Sequence, residues 1–246
     1  IRQEDRQFLG AHREHYYRWA DEAAMNATSQ SAEFKGPIAG PIISLLSRRV
    51  SDAVRLIIDL DERLLDSFIP VMLEEWIEFR REDKLFTGKI DRISQNPANM
   101  NLVLIDYKSG TVKTPGDYIP QPENAAVEEQ VLGDYQMPMY VFLAENALSS
   151  ATRKTTVQDA WFAGIKDKKY VPIVKGESWI SQTSGKKAVS REEFDPSLQV
   201  FLSTADRFAN SVRELDFTRP ENLPRKSCIT CEFFRICRTT YIAEDQ

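Results

Sequence analysis

An α/β fold, with a mixed sheet flanked by helices, follows from three observations on the sequence. Segments with helical and strand-like periodicity alternate along the chain, in the order helix, strands, helix, strands, helix. Two strand-like stretches at 88–93 and 102–110 flank Gln95-Asn96-Pro97-Ala98-Asn99-Met100-Asn101, whose composition is that of a turn, so they form a hairpin. Pro172 lies inside a third strand-like stretch and must stand at a sheet edge, because it cannot donate to a central ladder.

The elements follow in chain order. Residues 3–25 carry Phe8, His12, Tyr16 and Trp19 at helical spacing, and 26–39 read as a loop broken by Gly36-Pro37. From 41 to 68, Ile42, Leu45, Leu46, Val50, Val54, Ile57, Ile58, Leu64 and Leu65 predict one long helix or two short ones. Trp76, Ile77 and Phe79 favour a strand at 71–80. After the hairpin, 111–124 form a loop holding Pro115, Pro120 and Pro122. A helix is expected over 127–148, with Pro138 either kinking it or marking a first turn near Asp134. Strands follow at 158–163 and 170–174, then a polar loop at 176–190. Asp195-Pro196 reads as the N-cap and first residue of a helix whose apolar face is Leu198, Phe201, Ala205, Phe208, Val212 and Leu215. No internal repeat is visible.

Composition sets the bounds. The 246 residues are 42% hydrophobic and 28% charged, enough apolar content to build a core as one large domain or two small ones. No apolar run is long enough to span a bilayer, and no membrane partner is expected. Three cysteines in one tight cluster are a poor disulfide framework and favour an intracellular, cytoplasmic protein. The chain begins at Ile1 rather than Met, which suggests a piece of a longer protein. A net charge of −5 argues against a basic, sequence-blind nucleic-acid coat, yet is compatible with a nuclease whose metal ligands are acidic.

The hairpin carries the chemistry. If pairing is symmetric about its loop, Asp91 stands opposite Asp106, at a typical cross-strand Cβ separation of roughly 5 Å where like charges repel. Lys108 lies two residues on and shares a strand face with Asp106. Two carboxylates and a lysine converging there are explained by a divalent cation, Mg²⁺ or Mn²⁺, in metal-assisted phosphodiester hydrolysis. In the blander alternative, Asp91 pairs with Lys89 or Arg92 and Asp106 only ends a strand. A second cluster, Cys228, Cys231 and Cys237, has the spacing C-x₂-C-x₅-C, which suits a soft metal centre better than a disulfide framework. Lys166, Lys168, Lys169, Lys186 and Lys187 are either phosphate contacts or a solvated charge run.

The runs "GKIDRI", "LVLIDYKSG" and "DYQMPMY", followed by the cysteine cluster, resemble the PD-(D/E)XK nuclease superfamily. The nearest likeness is to its RecB/AddB-like branch, which includes iron–sulfur-containing exonucleases; it covers residues 71–140 and 227–238. The resemblance implies a restriction-endonuclease-like mixed central sheet in one nuclease domain over 1–246, with a cysteine segment at 220–246. It further implies Asp91 and Asp106 as metal ligands, the Tyr107 main-chain carbonyl as a third, and Lys108 as the catalytic lysine. Gln136 and Tyr140 match a helical Q-x-x-x-Y element that positions substrate or the lysine. A metal-binding histidine is implied on an upstream helix. His12 and His15 are the two candidates, although Gly10 stands two and five residues before them rather than at the G-x-x-x-H spacing. Glu75 resembles a glutamate of this branch.

In the same branch the cysteines hold a 4Fe–4S cluster, whose fourth ligand here would precede Ile1; zinc is the alternative. The function implied is an Mg²⁺- or Mn²⁺-dependent deoxyribonuclease, an exonuclease acting on DNA beside a helicase in repair or recombination. The chain holds no Walker A motif, so the motor would lie elsewhere. Two other readings stay open: a non-catalytic DNA-binding scaffold of the same fold, and a zinc-binding adaptor in which the hairpin carboxylates are incidental.

Overall fold

The computed structural model describes residues 12–30, 39–65, 67–150, 154–165, 169–176 and 188–216. The chain divides into two compact units, Ile1–Ala205 and Asp206–Gln246. Of the second, the described part is the last turns of a helix and two residues beyond. Four helices are described: α1 (Arg13–Ser29), α2 (Ala39–Leu64), α3 (Gln136–Leu148) and α4 (Arg191–Glu214). The strands are β1 (Ile69–Arg81), β2 (Lys84–Gln95), β3 (Leu102–Lys108), β4 (Val157–Gly164) and β5 (Lys169–Val174).

The five strands form one sheet in the order β1-β2-β3-β4-β5. β1, β2 and β3 make an antiparallel meander, β3 and β4 run parallel, and β5 returns antiparallel at the edge. The parallel pair needs a crossover, and α3 supplies it. This is the mixed, helix-flanked α/β sheet of the restriction-endonuclease-like kind. The edge position of Pro172 is as expected.

Central β3 reads as an unbroken apolar run, Leu102-Val103-Leu104-Ile105, because both its faces are buried. Leu102 and Leu104 join Ile90, Ile93 and Phe162 under Met137, Val141 and Leu143 of α3 and Phe194 and Phe201 of α4. Val103 and Ile105 join Trp161 and Tyr170 on the opposite side, under Leu64, Leu65 and Phe68 at the end of α2. α1 lies along α2, held by Tyr17 to Asp59, Asp21 to Ser51 and Arg55, and Thr28 to Ser47.

Several element ends differ from expectation, each for a local reason. The start of the first predicted helix, residues 3–11, lies outside the described residues, and its end runs on to Ser29. There the Thr28 hydroxyl donates to the Ala24 carbonyl and meets Ser47 of α2, so tertiary contact carries the helix through a segment of loop-like composition. The 41–68 region is one helix, with Pro41 in its first turn where no internal N–H is needed. α3 begins only at Gln136, and Pro138 sits in its first turn rather than at a kink. α4 begins at Arg191, not at Asp195-Pro196. Ser190 and Glu193 bond reciprocally, Ser190 N–H to the Glu193 carboxylate and Glu193 N–H to the Ser190 hydroxyl, making a capping box ahead of Pro196.

Gly88 on β2 lets α3 approach closely. A Cβ there would lie 2.9 Å from Leu143 Cδ1 and 3.5 Å from Met139 Cε and Tyr140 Cε1. Overpacking a site of this kind typically costs about 1–3 kcal/mol. Gly88→Val is expected to lose stability in that range in urea unfolding and to loosen the α3 residues described next. Gly88→Ala should cost clearly less, since one methyl needs only a shift of the Leu143 side chain.

Candidate active site

The hairpin register places the two aspartates. Arg92, Ile93 and Ser94 pair with Ile105, Leu104 and Val103, the symmetric register expected, which leaves Asp91 and Asp106 as the next opposed residues. The ladder stops there. In its place the Asp91 carboxylate accepts the Tyr107 backbone N–H at 2.8 Å through Oδ2, so it lies against the peptide joining Asp106 to Tyr107.

A break in strand alternation accompanies this. Ile90 and Ile93 are three residues apart yet belong to the same core, whereas Arg92 turns to the other side to meet Asp61 of α2. Side-chain alternation on β2 therefore slips by one residue around Asp91. Directly across on β1, between the pairs Glu75–Ile90 and Leu73–Arg92, Glu74 has φ of +51°, so both strands depart from regular pleating on one rung. Arg92 pairs with Asp61 and Lys89 with Glu74. The paired cations thus have other carboxylates, and Asp91 is directed to the Tyr107 N–H.

Asp106 ends the apolar run of β3 and is only 3% exposed. Burial is the main cause that pushes its carboxyl above the ordinary aspartate range; Lys108 pulls the other way, and Asp91 and Asp134 add to the rise. Its Oδ1 accepts from Gln136 Nε2 at 2.9 Å. Its Oδ2 is buried against Lys108 Nζ, 2.8 Å away as an ion pair. Lys108 Nζ also donates to Gln136 Oε1 at 2.9 Å, and Gln136 Nε2 reaches Tyr140 Oη at 3.1 Å. The Gln136 amide therefore spans the carboxylate and the ammonium. Turned over, it would set oxygen against carboxylate and NH₂ against ammonium, so the charges determine its orientation.

A desolvated carboxylate beside a second carboxylate, with one lysine against them, is a donor set that fits a hard divalent cation. Asp91 and Asp106 are the residues that would hold it.

Two contributors were not foreseen. Asp134 Oδ1 accepts the Gln136 backbone N–H at 2.8 Å and the Tyr118 hydroxyl at 3.0 Å, fixing the first turn of α3 where Gln136 must project. Burial and the Asp134 carboxylate push the Tyr118 phenol far above its ordinary range. An aspartate two residues before a helical Gln is a recognisable cap signal. Tyr118 arrives from the β3–α3 connection and carries no comparable signal.

The remaining candidates lie elsewhere or outside the described residues. His12 precedes α1 with its ring 6.5 Å from that of Tyr16, and His15 lies tilted against Trp19, with ring centroids 4.2 Å apart, and contacts Arg18. Among the described residues no group of three or more His, Cys, Asp and Glu side chains is gathered for a metal, so neither histidine joins the two aspartates in one such set. Glu75 is exposed on β1 opposite Ile90. Lys169 begins edge strand β5. Cys228, Cys231, Cys237, Lys166, Lys168, Lys186 and Lys187 lie outside the described residues. No described helix is long and apolar enough to cross a membrane.

The raised Asp106 pKa has a stability consequence with a definite sign. A carboxyl whose folded pKa exceeds its unfolded value stabilises the fold while protonated, and that contribution is lost as pH rises through the folded pKa. Metal-free Asp106→Asn is therefore expected to melt at a higher temperature than the parent above the raised Asp106 pKa, with the gain shrinking as pH falls through that pKa and gone below the unfolded aspartate pKa. Mn²⁺ at about a hundredfold over its dissociation constant should stabilise the parent by about 2.7 kcal/mol, a rise in Tm of several degrees, and leave Asp106→Asn unmoved. Thermal melts across pH, with and without Mn²⁺, check both.

Comparison with curated proteins gave no significant match. A family model described as the PD-(D/E)XK nuclease superfamily matches residues 6–238, nearly the whole chain. The mixed five-stranded sheet flanked by helices is consistent with that match, and the chain belongs to the PD-(D/E)XK nuclease superfamily.

Proposed function

We propose that the protein is a divalent-metal-dependent deoxyribonuclease that hydrolyses phosphodiester bonds at the Asp91–Asp106–Lys108 site. The observation that carries this reading is the buried Asp106 carboxylate, its pKa held above the ordinary aspartate range beside Asp91 and Lys108, with the Gln136 amide spanning carboxylate and ammonium. Two carboxylates against one lysine leave excess negative charge in a desolvated place, which a divalent cation would neutralise.

Each residue has a role in that chemistry. Asp91 and Asp106 would hold Mg²⁺ or Mn²⁺, which would supply charge neutralisation at the phosphoryl oxygens and make water a competent nucleophile at neutral pH. Lys108, partly open to solvent beside Asp106, orients the attacking water and stabilises the negative charge that develops on the phosphate. Gln136 offers the ammonium a second acceptor beside Asp106 and so fixes its direction. Tyr140, one helical turn on, steadies the amide and stands ready to contact a phosphate.

By the family resemblance, the reaction is exonucleolytic and serves a helicase-linked repair or recombination process. The same likeness assigns Cys228, Cys231 and Cys237 to a structural 4Fe–4S cluster with a fourth ligand supplied from outside this sequence. It also assigns a histidine of the first helix, His12 or His15, to the metal shell.

Cleavage of labelled linear single- and double-stranded DNA in Mg²⁺ or Mn²⁺ tests the reading. Asp106→Ala is expected to abolish cleavage, and Lys108→Ala to slow it by about 10²–10⁴-fold, the range for removing a positioned proton-transfer or charge-stabilising group. Both losses should appear in folded proteins, and EDTA should silence the parent. Cleavage persisting in both variants would refute the site. A folded protein that binds Mn²⁺ and DNA without cutting either strand would favour the scaffold reading. Iron and acid-labile sulfide in the purified protein would support the cluster, and zinc in their place would overturn it.

A further inference from the structure

The residue that follows each metal-binding aspartate turns to the opposite side of the sheet, and there the two meet. Arg92, after Asp91, is buried between β2 and α2; it forms an ion pair with Asp61 of α2, donates through Nε to Ser94 Oγ at 3.0 Å, and reaches Tyr107 Oη at 3.5 Å. Tyr107, after Asp106, packs against the core on that side. Tyr170 of β5 donates its hydroxyl to the second Asp61 oxygen at 2.8 Å. Asp61 thus receives both Arg92 and Tyr170. One carboxylate of the helical layer ties together β2, β5 and, through Arg92, the phenol of β3.

Burial is the largest single influence and opposes the Arg92 charge, but Asp61 together with Tyr107 and Tyr170 outweighs it, and the guanidinium pKa lies above its ordinary value. The pair is charged and directional, and it lies back to back with the catalytic rung. Core packing alone would not need it, because a buried ion pair is commonly replaceable by apolar side chains without loss of stability. It sits where β2 alternation slips, the one place where the hairpin hydrogen bonds cannot set the position of Asp91.

We propose that Arg92, anchored by Asp61, is a positioning residue for the metal site: it holds the slipped rung of β2 against Tyr107 and so sets the spacing of the Asp91 and Asp106 carboxylates. The inference rests on the metal-binding reading given above. It makes α2 part of the metal site without contributing a ligand to it. Partners one shell out from metal ligands typically alter metal affinity by about 10–100-fold.

Two variants and a control test this, with Mn²⁺ affinity of the folded protein measured by calorimetry well below each melting temperature. Asp61→Asn keeps the shape and an acceptor for Tyr170 but removes the charge. The triple variant Asp61→Leu, Arg92→Met, Tyr170→Phe replaces the whole network by apolar groups of similar volume. Both are expected to bind Mn²⁺ at least about tenfold more weakly than the parent, with the triple variant melting within a few degrees of it. Phe194→Leu, in the core on the far side of the sheet, should lower the melting temperature and leave Mn²⁺ affinity unchanged. Mn²⁺ affinity within twofold of the parent in either network variant overturns the inference. A parent protein whose Mn²⁺ binding is absent, or survives Asp91→Ala and Asp106→Ala, refutes the metal site itself, a different failure from the first.

Discussion

A carboxylate at the end of a fully buried strand must be compensated, and in this protein the compensation of Asp106 organises everything around it. Leu102 to Ile105 draw β3 into the middle of the sheet, and Asp106 follows directly with little access to water. An isolated charge there would be strongly disfavoured. Lys108 supplies one counter-charge and Gln136 one hydrogen bond, and the carboxyl pKa still stays high because burial outweighs both. On this strand the fold accepts that cost at Asp106, beside the second carboxylate of Asp91.

The position of α3 follows from the same requirement. Gln136 can span Asp106 and Lys108 only if its helix starts at that residue and lies close to the sheet. Asp134 and Tyr118 secure the first condition by capping and anchoring the first turn. Gly88 secures the second by leaving space for Leu143, Met139 and Tyr140. Those contacts are ordinary packing, but their effect is to hold an amide within hydrogen-bonding distance of two opposite charges. The other face of the sheet is handled differently, with a charged Asp61–Arg92 pair in place of apolar contact behind the carboxylates.

Much of this was legible in the residues themselves. The hairpin register could be counted from the loop outward, because a short turn between two strands leaves few alternatives and the apolar pattern penalises a one-residue slip. The placement of Gln136 and Tyr140 on one helix face needed only their spacing. Other features depended on partners remote in sequence. Thr28 extends α1 because Ser47 is there to meet it; the β2 slip at Asp91 exists because Arg92 has Asp61 to reach; Tyr118 enters the site from a loop. The Ser190–Glu193 capping box was readable but was outweighed by the more conspicuous Asp195-Pro196.

The sequence by itself determined the alternating order of helices and strands, the pairing of the two aspartate-bearing strands and the identity of the charged residues at their ends. These depend on periodicity, turn chemistry and local spacing, which act over a few residues. Tertiary structure decided which charges meet: that Lys89 goes to Glu74 and Arg92 to Asp61, that Lys108 is shared between Asp106 and Gln136, and that His15 on α1 lies against Trp19 while His12 stands just before that helix. A salt bridge or a metal ligand set is chosen among many chemically equivalent partners, and only the packing of helices on the sheet selects the one within reach.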